Sequence, residues 1–443
     1  MKHLSFASAR ETRSSVLRYL VRPCGVFVLV AVPAAVGFSA QKKASPPPQP
    51  IVWKAGAASV VITPEKNMWM AGYGFRKKPA EGKVQDLFAK ALALQDEKGS
   101  RMVIVTNDII GIIPSMRRAV EKAVLERYKL PRESLLLNAS HTHCGPEYRV
   151  RDGREQEARE YTAFFEARLV EVIGKALEAW APARLTWAQA RAGFAMNRRR
   201  DHTLPKDHPN AGKEPNPEGP VDHAVPALRV EAADGELRAV LFGYACHNTA
   251  LNFFHYCGDY AGYAQEYLQA HRPGFTALFL MGCGGDQNPY PRRSGVVPGI
   301  SDLELTQAHG RSLANAVEMA LVVNPRPVRG PLRAAYEEVK LDYATARPAH
   351  DYPVQIVRFG GDLTLVALGS EVVVDYSLRI KKDLAGPAPV WVAGYSNDYS
   401  GYVPSLRVLR EGGYEAAAGW ADSVEDRIMS KVMELHRNTG GEN

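Results

Sequence analysis

The chain has 443 residues, of which 46% are hydrophobic and 23% charged, so it is long enough to bury a large core. The formal net charge is +7, but residues 1–43 contain seven Lys or Arg and one Glu, so this segment alone accounts for a net charge of +6. The remainder is almost neutral and shows no basic stripe interleaved with aromatic residues. This pattern argues against a nucleic-acid-binding protein.

The basic N-terminus is followed by an apolar segment at residues 24–40 that ends in small residues. This order is typical of a secretory signal peptide and predicts export. The apolar run is shorter than the roughly 20 residues that a membrane-spanning helix needs, and Pro33 interrupts it, so an uncleaved membrane anchor is the lesser alternative. The predicted segments are a signal peptide at 1–40, a Pro-rich linker at 41–52, a catalytic domain at 53–437 and a disordered tail at 438–443.

Apolar runs and helical periods alternate irregularly along the domain. The pattern predicts strands at residues 53–63, 87–96, 102–106, 135–137, 185–194, 227–231, 238–245, 275–281, 332–341, 354–359, 363–368 and 390–393. It predicts helices at residues 115–129, 156–180, 301–322, 372–382 and 420–437. We therefore expect a mixed α/β fold, with a single large catalytic domain, a mixed sheet at its core and a metal site at strand ends.

Three features of the domain have more than one interpretation. The cysteines at 144, 246, 257 and 283 show no dense spacing, so we expect no obligatory disulfide. The polar loop at 199–221 is a lid, a binding loop or disordered, and its His202 and His208 are expected to be solvated. Asp108 either orients a metal-bound histidine or caps the following helix.

The segment Asn-Ala-Ser-His-Thr-His-Cys-Gly-Pro at residues 138–146 follows a short apolar strand and ends at a Gly-Pro breaker. Its two histidines, His141 and His143, are two residues apart. On a strand end this spacing places both side chains on the same face. Neutral imidazole is the commonest protein ligand for zinc, whereas an isolated pair of this kind more often bonds the backbone of a turn.

Other apolar runs also stop at polar groups. His247 follows one such run, Asp286 follows another after two glycines, and Glu371 follows a third. A fifth segment, residues 394–402, is dense in tyrosine and small residues. Burying these groups is costly unless they are paired or coordinate a metal, and two histidines with a carboxylate form a zinc-hydrolase ligand set.

These segments resemble the neutral/alkaline non-lysosomal ceramidase family. The matches occur in the family's order between about residue 54 and residue 436, at residues 55–64, 138–146, 197–198, 245–249, 284–289, 368–371 and 395–403. The His-Thr-His and tyrosine-rich segments are specific, whereas the glycine-rich one is weaker. The resemblance implies an amide hydrolase with one Zn²⁺ per chain, acting on a small or lipid-like N-acyl substrate. It is compatible with peripheral contact with a membrane surface and leaves the oligomeric state open.

The resemblance also implies roles for individual residues. The zinc ligands fall on His141, His247, Glu371 and Tyr402. His143 falls on the substrate-side catalytic histidine, Arg198 on the active-site arginine and Tyr414 on a further site tyrosine. Zinc lowers the pKa of bound water to about 7, a histidine shuttles the proton, and the arginine or tyrosine stabilises the oxyanion.

The chain departs from the family pattern at two places. Asn288 stands where the ceramidase motif has a serine once considered the nucleophile. Asparagine cannot serve as that acyl acceptor, so a metal-activated water mechanism remains, with Asp286 and Asn288 as polar site residues. We also expect no C-terminal immunoglobulin-like domain after the closing helix. Both departures make ceramide itself a less secure substrate.

Three other functions are considered. The same centre would serve an esterase or a hydrolase of N-acyl sugars or other amides. An exported binding protein without turnover is a second alternative. A two-metal phosphohydrolase using Asp108, Asp259 and Asp286 is the weakest, because Asp259 more plausibly caps the helix that follows it.

Overall fold

A computed structural model describes residues 52–201, 205, 215–293, 295, 297–323 and 325–440. The predicted signal peptide, most of the linker, His202 and His208 lie outside these residues. Within the described part, no helix combines the length and apolarity needed to cross a lipid bilayer.

The strands in chain order are β1 (Trp53–Val61), β2 (Gly82–Lys83), β3 (Phe88–Asp96), β4 (Arg101–Asn107), β5 (Leu135–Ala139), β6 (Ala181–Arg191), β7 (Ala195–Asn197), β8 (Ala224–Ala232), β9 (Leu237–Tyr244), β10 (His255–Tyr256), β11 (Thr276–Met281), β12 (Gln287–Pro289), β13 (Arg326–Val328), β14 (Leu332–Leu341), β15 (His350–Phe359), β16 (Leu363–Leu368), β17 (Glu371–Val372), β18 (Val390–Ala393) and β19 (Tyr402–Val403). The α-helices are α1 (Pro114–Tyr128), α2 (Glu155–Glu178), α3 (Asp259–Gln269), α4 (Asp302–Val322), α5 (Val374–Asp383), α6 (Leu406–Glu411) and α7 (Val424–Asn438).

Two sheets form the core. The larger has nine strands in the order β11-β9-β8-β6-β1-β3-β4-β5, with β13 paired to β6, and it mixes parallel and antiparallel neighbours. The smaller has the order β14-β15-β16-β18. One apolar cluster joins their facing sides, with Leu92 and Leu241 from the larger sheet against Phe359 and Trp391 from the smaller. This confirms the predicted mixed α/β fold.

Helices cover the outer face of each sheet. Phe165 and Leu169 of α2 pack with residues of β3 and β5, and α3 and α4 cover the β8-β9-β11 side. The outer face of the smaller sheet packs against α5 and α7. The result is four layers, helix–sheet–sheet–helix, in which each amphipathic helix buries one apolar face.

The long predicted elements match the structure to within a few residues. The helix predicted from residue 420 begins at Val424, and α4 begins after Ser301, whose side chain and that of Glu304 form a capping box. Strands of two or three residues, such as β7 and β17, were not predicted because so short a run shows no periodicity. At the C-terminus, Thr439 is buried and hydrogen-bonded, so the chain there still packs against the domain, whereas the tail was predicted from residue 438. Residues 441–443 lie outside the described part.

Asn138, near the end of β5, brings several strand ends together. Its Oδ1 accepts a hydrogen bond from the N–H of Met281 at 2.9 Å, and its Nδ2 donates to the carbonyl of Gly394 at 2.8 Å. These contacts connect the carboxyl ends of β5, β11 and β18. Beyond them, the N–H of Tyr395 donates to the carbonyl of Ser370, and that of Gly285 donates to the carbonyl of Val372. The loops that follow four strands of the two sheets, β5, β11, β16 and β18, therefore meet at one place.

Candidate metal centre

Three buried electron-pair donors converge where these loops meet. The Nε2 atoms of His141 and His247 each lie 3.2 Å from the same carboxylate oxygen of Glu371. The exposed fractions of His141, His247 and Glu371 are 1%, 0% and 4%. The structure therefore brings together three of the four ligands that the resemblance implied.

Backbone carbonyls fix the orientation of both imidazoles. Nδ1 of His141 lies 2.6 Å from the carbonyl of Ile110, and Nδ1 of His247 lies 2.5 Å from that of Gly284. A carbonyl only accepts, so the proton of each neutral ring is on Nδ1 and Nε2 carries a lone pair. This is the outer contact that metal-binding histidines usually make.

The electrostatics of this cluster fit a cation. Burial, followed by Arg198, lowers the pKa of His247 to about 3 and keeps its imidazole neutral. Lone pairs and a carboxylate thus face one another in a site shielded from water. Two nitrogens and one oxygen suit Zn²⁺, so the residues fit the metal that the family resemblance implies.

His143 belongs to the same cluster. Its Nε2 lies 3.1 Å from Nε2 of His141, and its buried Nδ1 has no hydrogen-bond partner among the described residues. Ligand atoms of His141, His143 and His247 all lie within 4.8 Å of one another. His143 is thus positioned either to move a proton beside the centre or to act as a third imidazole ligand.

The reason given for the histidine spacing was wrong. Strand β5 ends at Ala139, before either histidine, and His141 has a left-handed backbone with φ of 61°. The two rings converge because this turn folds the loop back, and not because strand side chains alternate. Ser370 and Tyr395 also have positive φ, so unusual backbone conformations cluster around the centre.

Tyr402 and Tyr414 lie on one side of the cluster. The Tyr402 hydroxyl is 3.4 Å from Nε2 of His247, and β19 pairs with β17 so that Tyr402 lies opposite Glu371. The Tyr402 ring lies 5.0 Å from the ring of Tyr414, which is 70% exposed. Tyr402 is therefore within reach of the centre, whereas Tyr414 stands at its entrance.

Arg198 approaches the same side. Its Nε donates to Glu415 at 2.8 Å, and its Nη1 lies 3.5 Å from Oδ1 of Asn288. Its guanidinium carbon lies 5.2 Å from the centre of the Tyr402 ring, and its buried Nη2 has no hydrogen-bond acceptor among the described residues. Arg198 thus brings a buried donor next to Tyr402, with which its side chain interacts. Glu415, which holds it there, was missed because no sequence spacing connects it to Arg198.

Asp286 does not face the cluster as the sequence interpretation supposed. Its Oδ1 accepts from the N–H of Val374 at 2.8 Å and its Oδ2 from Asn197 at 3.2 Å, and it is fully buried. Its carbonyl accepts from the N–H of Arg198. This carboxylate anchors β7 and the start of α5, so a positioning role fits it better than a catalytic one.

Both interpretations of Asp108 were wrong. Its carboxylate accepts from the N–H of Phe88, while α1 begins after Ile113, which has no side-chain cap. Asp259 is the first residue of α3. Its carboxylate accepts a hydrogen bond from the N–H of Leu251 at 2.9 Å. Among the described residues, the only cluster suited to a metal is the histidine one, so the two-metal alternative loses its support.

A cavity of about 430 Å³ opens onto the centre. His143, Glu371, Tyr402 and Tyr414 contribute to its wall. The wall also contains charged and aromatic residues that the sequence interpretation did not single out as site residues: Trp69, Tyr73, Arg76, Glu147, Arg149, Arg151, Arg154 and Tyr399. Tyr395 was also missed: it is fully buried, its ring lies 4.7 Å from that of His141, and its hydroxyl has no partner among the described residues. Tyrosine density at 394–402 was the only available signal for it. The four cysteines of the described part of the chain, those at 144, 246, 257 and 283, are buried and free.

Taken together, the fold and the cluster define a mixed α/β protein with a candidate metal centre at converging strand ends. Residues 53–289 match the model of the neutral/alkaline non-lysosomal ceramidase N-terminal domain, and the chain belongs to this family. Family membership supports a hydrolase of the ceramidase type.

Two solved structures have a similar fold. Neutral ceramidase from Pseudomonas aeruginosa superposes with a TM-score of 0.73 at 18% identity, covering 87% of this chain and 74% of that one. A ceramidase complexed with C2 gives a TM-score of 0.75 at 18% identity, covering 89% and 77%. At this identity the likeness establishes the fold.

Proposed function

We propose that the chain is an exported zinc-dependent hydrolase that cleaves an amide bond of an N-acyl compound with a metal-activated water. The observation that carries this proposal is the convergence of two bare imidazole nitrogens on one carboxylate oxygen in a buried site, with each nitrogen 3.2 Å from that oxygen. Without a cation, the two nitrogen lone pairs and the carboxylate face one another in a buried site, which is unfavourable.

His141, His247, Glu371 and Tyr402 would hold the zinc ion. When bound, the metal supplies a Lewis acid that polarises the substrate carbonyl and makes water a nucleophile near neutral pH. His143 receives and returns the proton, ending at the leaving nitrogen, because its Nε2 lies beside the centre and on the wall of the cavity. The buried Nη2 of Arg198 stabilises the negative charge that develops on the carbonyl oxygen.

Family membership and the fold shared with a ceramidase complexed with C2 support this substrate class. Asn288 replaces the motif serine, so the route uses water and forms no acyl-serine. Export is proposed from the basic and apolar N-terminal segment, and peripheral contact with a membrane is compatible with a lipid-like substrate.

Metal analysis and a substrate panel test this proposal together. We expect about one equivalent of zinc per chain, and hydrolysis of N-acyl amines that stops on chelation and returns with zinc. Faster cleavage of matched esters or N-acyl sugars would favour the related hydrolase. Trace metal with no turnover of any substrate would favour an exported binding protein.

A further inference from the structure

The cavity next to the centre has more positive charge than its own carboxylates balance. Four arginines and two glutamates line it. Glu371 faces the two imidazoles of the centre, where it would hold the metal. Glu147 accepts two hydrogen bonds from Arg149, at 2.7 and 2.5 Å. Glu371 is therefore not available to an arginine, and the single negative charge of Glu147 is matched chiefly by Arg149.

Arg76 is also committed to the protein. It is buried, and its guanidinium donates to the backbone carbonyls of His143 and Phe253 at 2.6 and 2.9 Å. It holds the loops that form the cavity wall and is not available to a ligand. The surplus charge is thus that of Arg151 and Arg154.

These two guanidiniums remain accessible. Arg151 has a side chain that is 53% exposed and shares the outer oxygen of Glu147 at 3.4 Å. Arg154 stacks on the Trp69 ring at 3.5 Å and forms no ion pair within the described part of the chain. Stacking on an aromatic face leaves the N–H groups at the edge of the guanidinium free, the geometry in which arginine binds carboxylate, sulfonate or phosphate.

We infer that the amine part of the substrate carries an anionic group that Arg151 and Arg154 bind. This inference rests on the proposed amide hydrolysis. His143 lies on the wall of the same cavity, and the leaving nitrogen receives its proton there, so the amine part occupies the cavity. A volume of about 430 Å³ fits a polar head group, and a neutral head group would gain nothing from the two charges.

The neighbouring surface supports a small ligand in preference to an anionic membrane. A second cavity of about 870 Å³ shares Trp69 and Arg154, and its other charged lining residues are Lys66 and the four carboxylates of Glu65, Glu155, Glu157 and Glu160. These carboxylates disfavour an anion on that side of Arg154. The positive field is therefore confined to the concave side next to the centre.

The reaction remains a hydrolysis. The oxygen of water bonds to the acyl carbon, the carbon–nitrogen bond breaks, and the proton reaches the nitrogen. The products are a fatty acid carboxylate and an amine that bears the anionic group.

Matched substrates test the inference on the zinc-loaded enzyme. We expect kcat/KM to be at least about tenfold higher for N-octanoyltaurine than for N-octanoylethanolamine, because charge-assisted hydrogen bonds are the stronger ones. N-octanoylglycine and N-octanoylphosphoethanolamine show which oxyanion fits best. Equal or faster cleavage of the neutral substrate than of all three anionic ones would overturn the inference.

Variants connect the preference to the two arginines. Arg151→Gln with Arg154→Gln should bring the ratio close to one, mainly through KM, while cleavage of the neutral amide persists. Arg159→Gln, at an exposed position of α2 outside the cavity, is the matched control and should leave the ratio unchanged. If the double variant still prefers the anionic substrate, the assignment of Arg151 and Arg154 as its binding site is refuted. If the double variant fails to fold, Arg151→Gln alone is used for the same comparison.

Binding separates this inference from the proposed function. Urea analogues of the taurine and ethanolamine substrates resist hydrolysis and can be titrated by calorimetry. If no amide is cleaved, the proposed function fails. Tighter binding of the anionic urea, lost in the double variant, would still support the anion site, whereas equal binding of both ureas would overturn it.

Discussion

Nε2 of His143 lies 3.1 Å from Nε2 of His141. Because Nδ1 of His141 donates to a backbone carbonyl, its Nε2 is the acceptor and His143 supplies the proton. A metal ion on His141 would use the same lone pair. His143 would then lose this partner, and its Nε2 would be free to exchange a proton with water and with a substrate atom.

Replacing His143 distinguishes between two roles for this residue, that of a proton carrier and that of a metal ligand. We expect His143→Ala to retain about one equivalent of metal and to lower kcat by roughly 10²–10⁴-fold, the usual contribution of an acid–base group. Elemental analysis and steady-state kinetics on the same preparation measure both quantities. Metal content as low as in His141→Ala would make His143 a third ligand, and its proton role would be wrong.

Loss of either proposed imidazole ligand should remove metal and activity together. His141→Ala and His247→Ala each leave Glu371 with one nitrogen neighbour, so zinc affinity falls and turnover disappears. Thermal unfolding with and without added zinc gives a second measure, because the metal stabilises only a protein that binds it. His255→Ala, outside the cluster, is the control. A full equivalent of zinc in either ligand variant would contradict the proposed centre.

Asn288 should matter less than the histidines. Its Oδ1 lies 3.4 Å from the Thr249 hydroxyl and 3.5 Å from Arg198, both long for hydrogen bonds. We expect Asn288→Ala to keep its metal and most of its activity, and Asn288→Ser to behave similarly. Complete loss of turnover with zinc still bound would show that this position takes part in the chemistry.

Glu415 should act through Arg198. We expect Glu415→Gln to weaken the hold on Arg198 and to lower kcat by about tenfold, with KM and metal content nearly unchanged. Glu411→Gln is the matched control, because Glu411 pairs with Arg199 and Arg407 in the same segment and not with Arg198. Equal effects of the two changes would indicate loss of local structure and not of a positioned charge.

Asp286 should make stability depend on pH. Burial raises the pKa of its carboxyl to about 6; Asp375 and Glu415 raise it further, whereas the hydrogen bond from the N–H of Val374 and the charge of Arg407 lower it. A carboxyl whose pKa is higher in the folded than in the unfolded state costs stability as pH rises from about 4 to 6, because the folded state binds the proton more tightly there. Between those limits, Asp286→Asn should gain stability relative to the original chain, by at most about 3 kcal/mol. Urea unfolding at pH 4 and pH 7 measures the difference, and a pH-independent difference would count against the raised pKa.

The sequence by itself predicted the long elements and the segments that supply the cluster. Alternation and helical period depend on neighbouring residues, so strands such as β1 and helices such as α2 could be read directly. Polar groups at the ends of apolar runs indicated His141, His247 and Glu371, because buried polar groups need partners. The resemblance to a family added Tyr402 and Arg198.

Only the tertiary structure decided which groups meet and how they face. The left-handed turn at His141, the carbonyls of Ile110 and Gly284 that orient the imidazoles, and the inward anchor made by Asp286 depend on backbone conformation and on contacts between distant segments. The same holds for Glu415 beside Arg198 and for the surplus arginines of the cavity. Local sequence carries the period of a strand or helix, but the partner of a buried charge is set by packing between residues hundreds of positions apart.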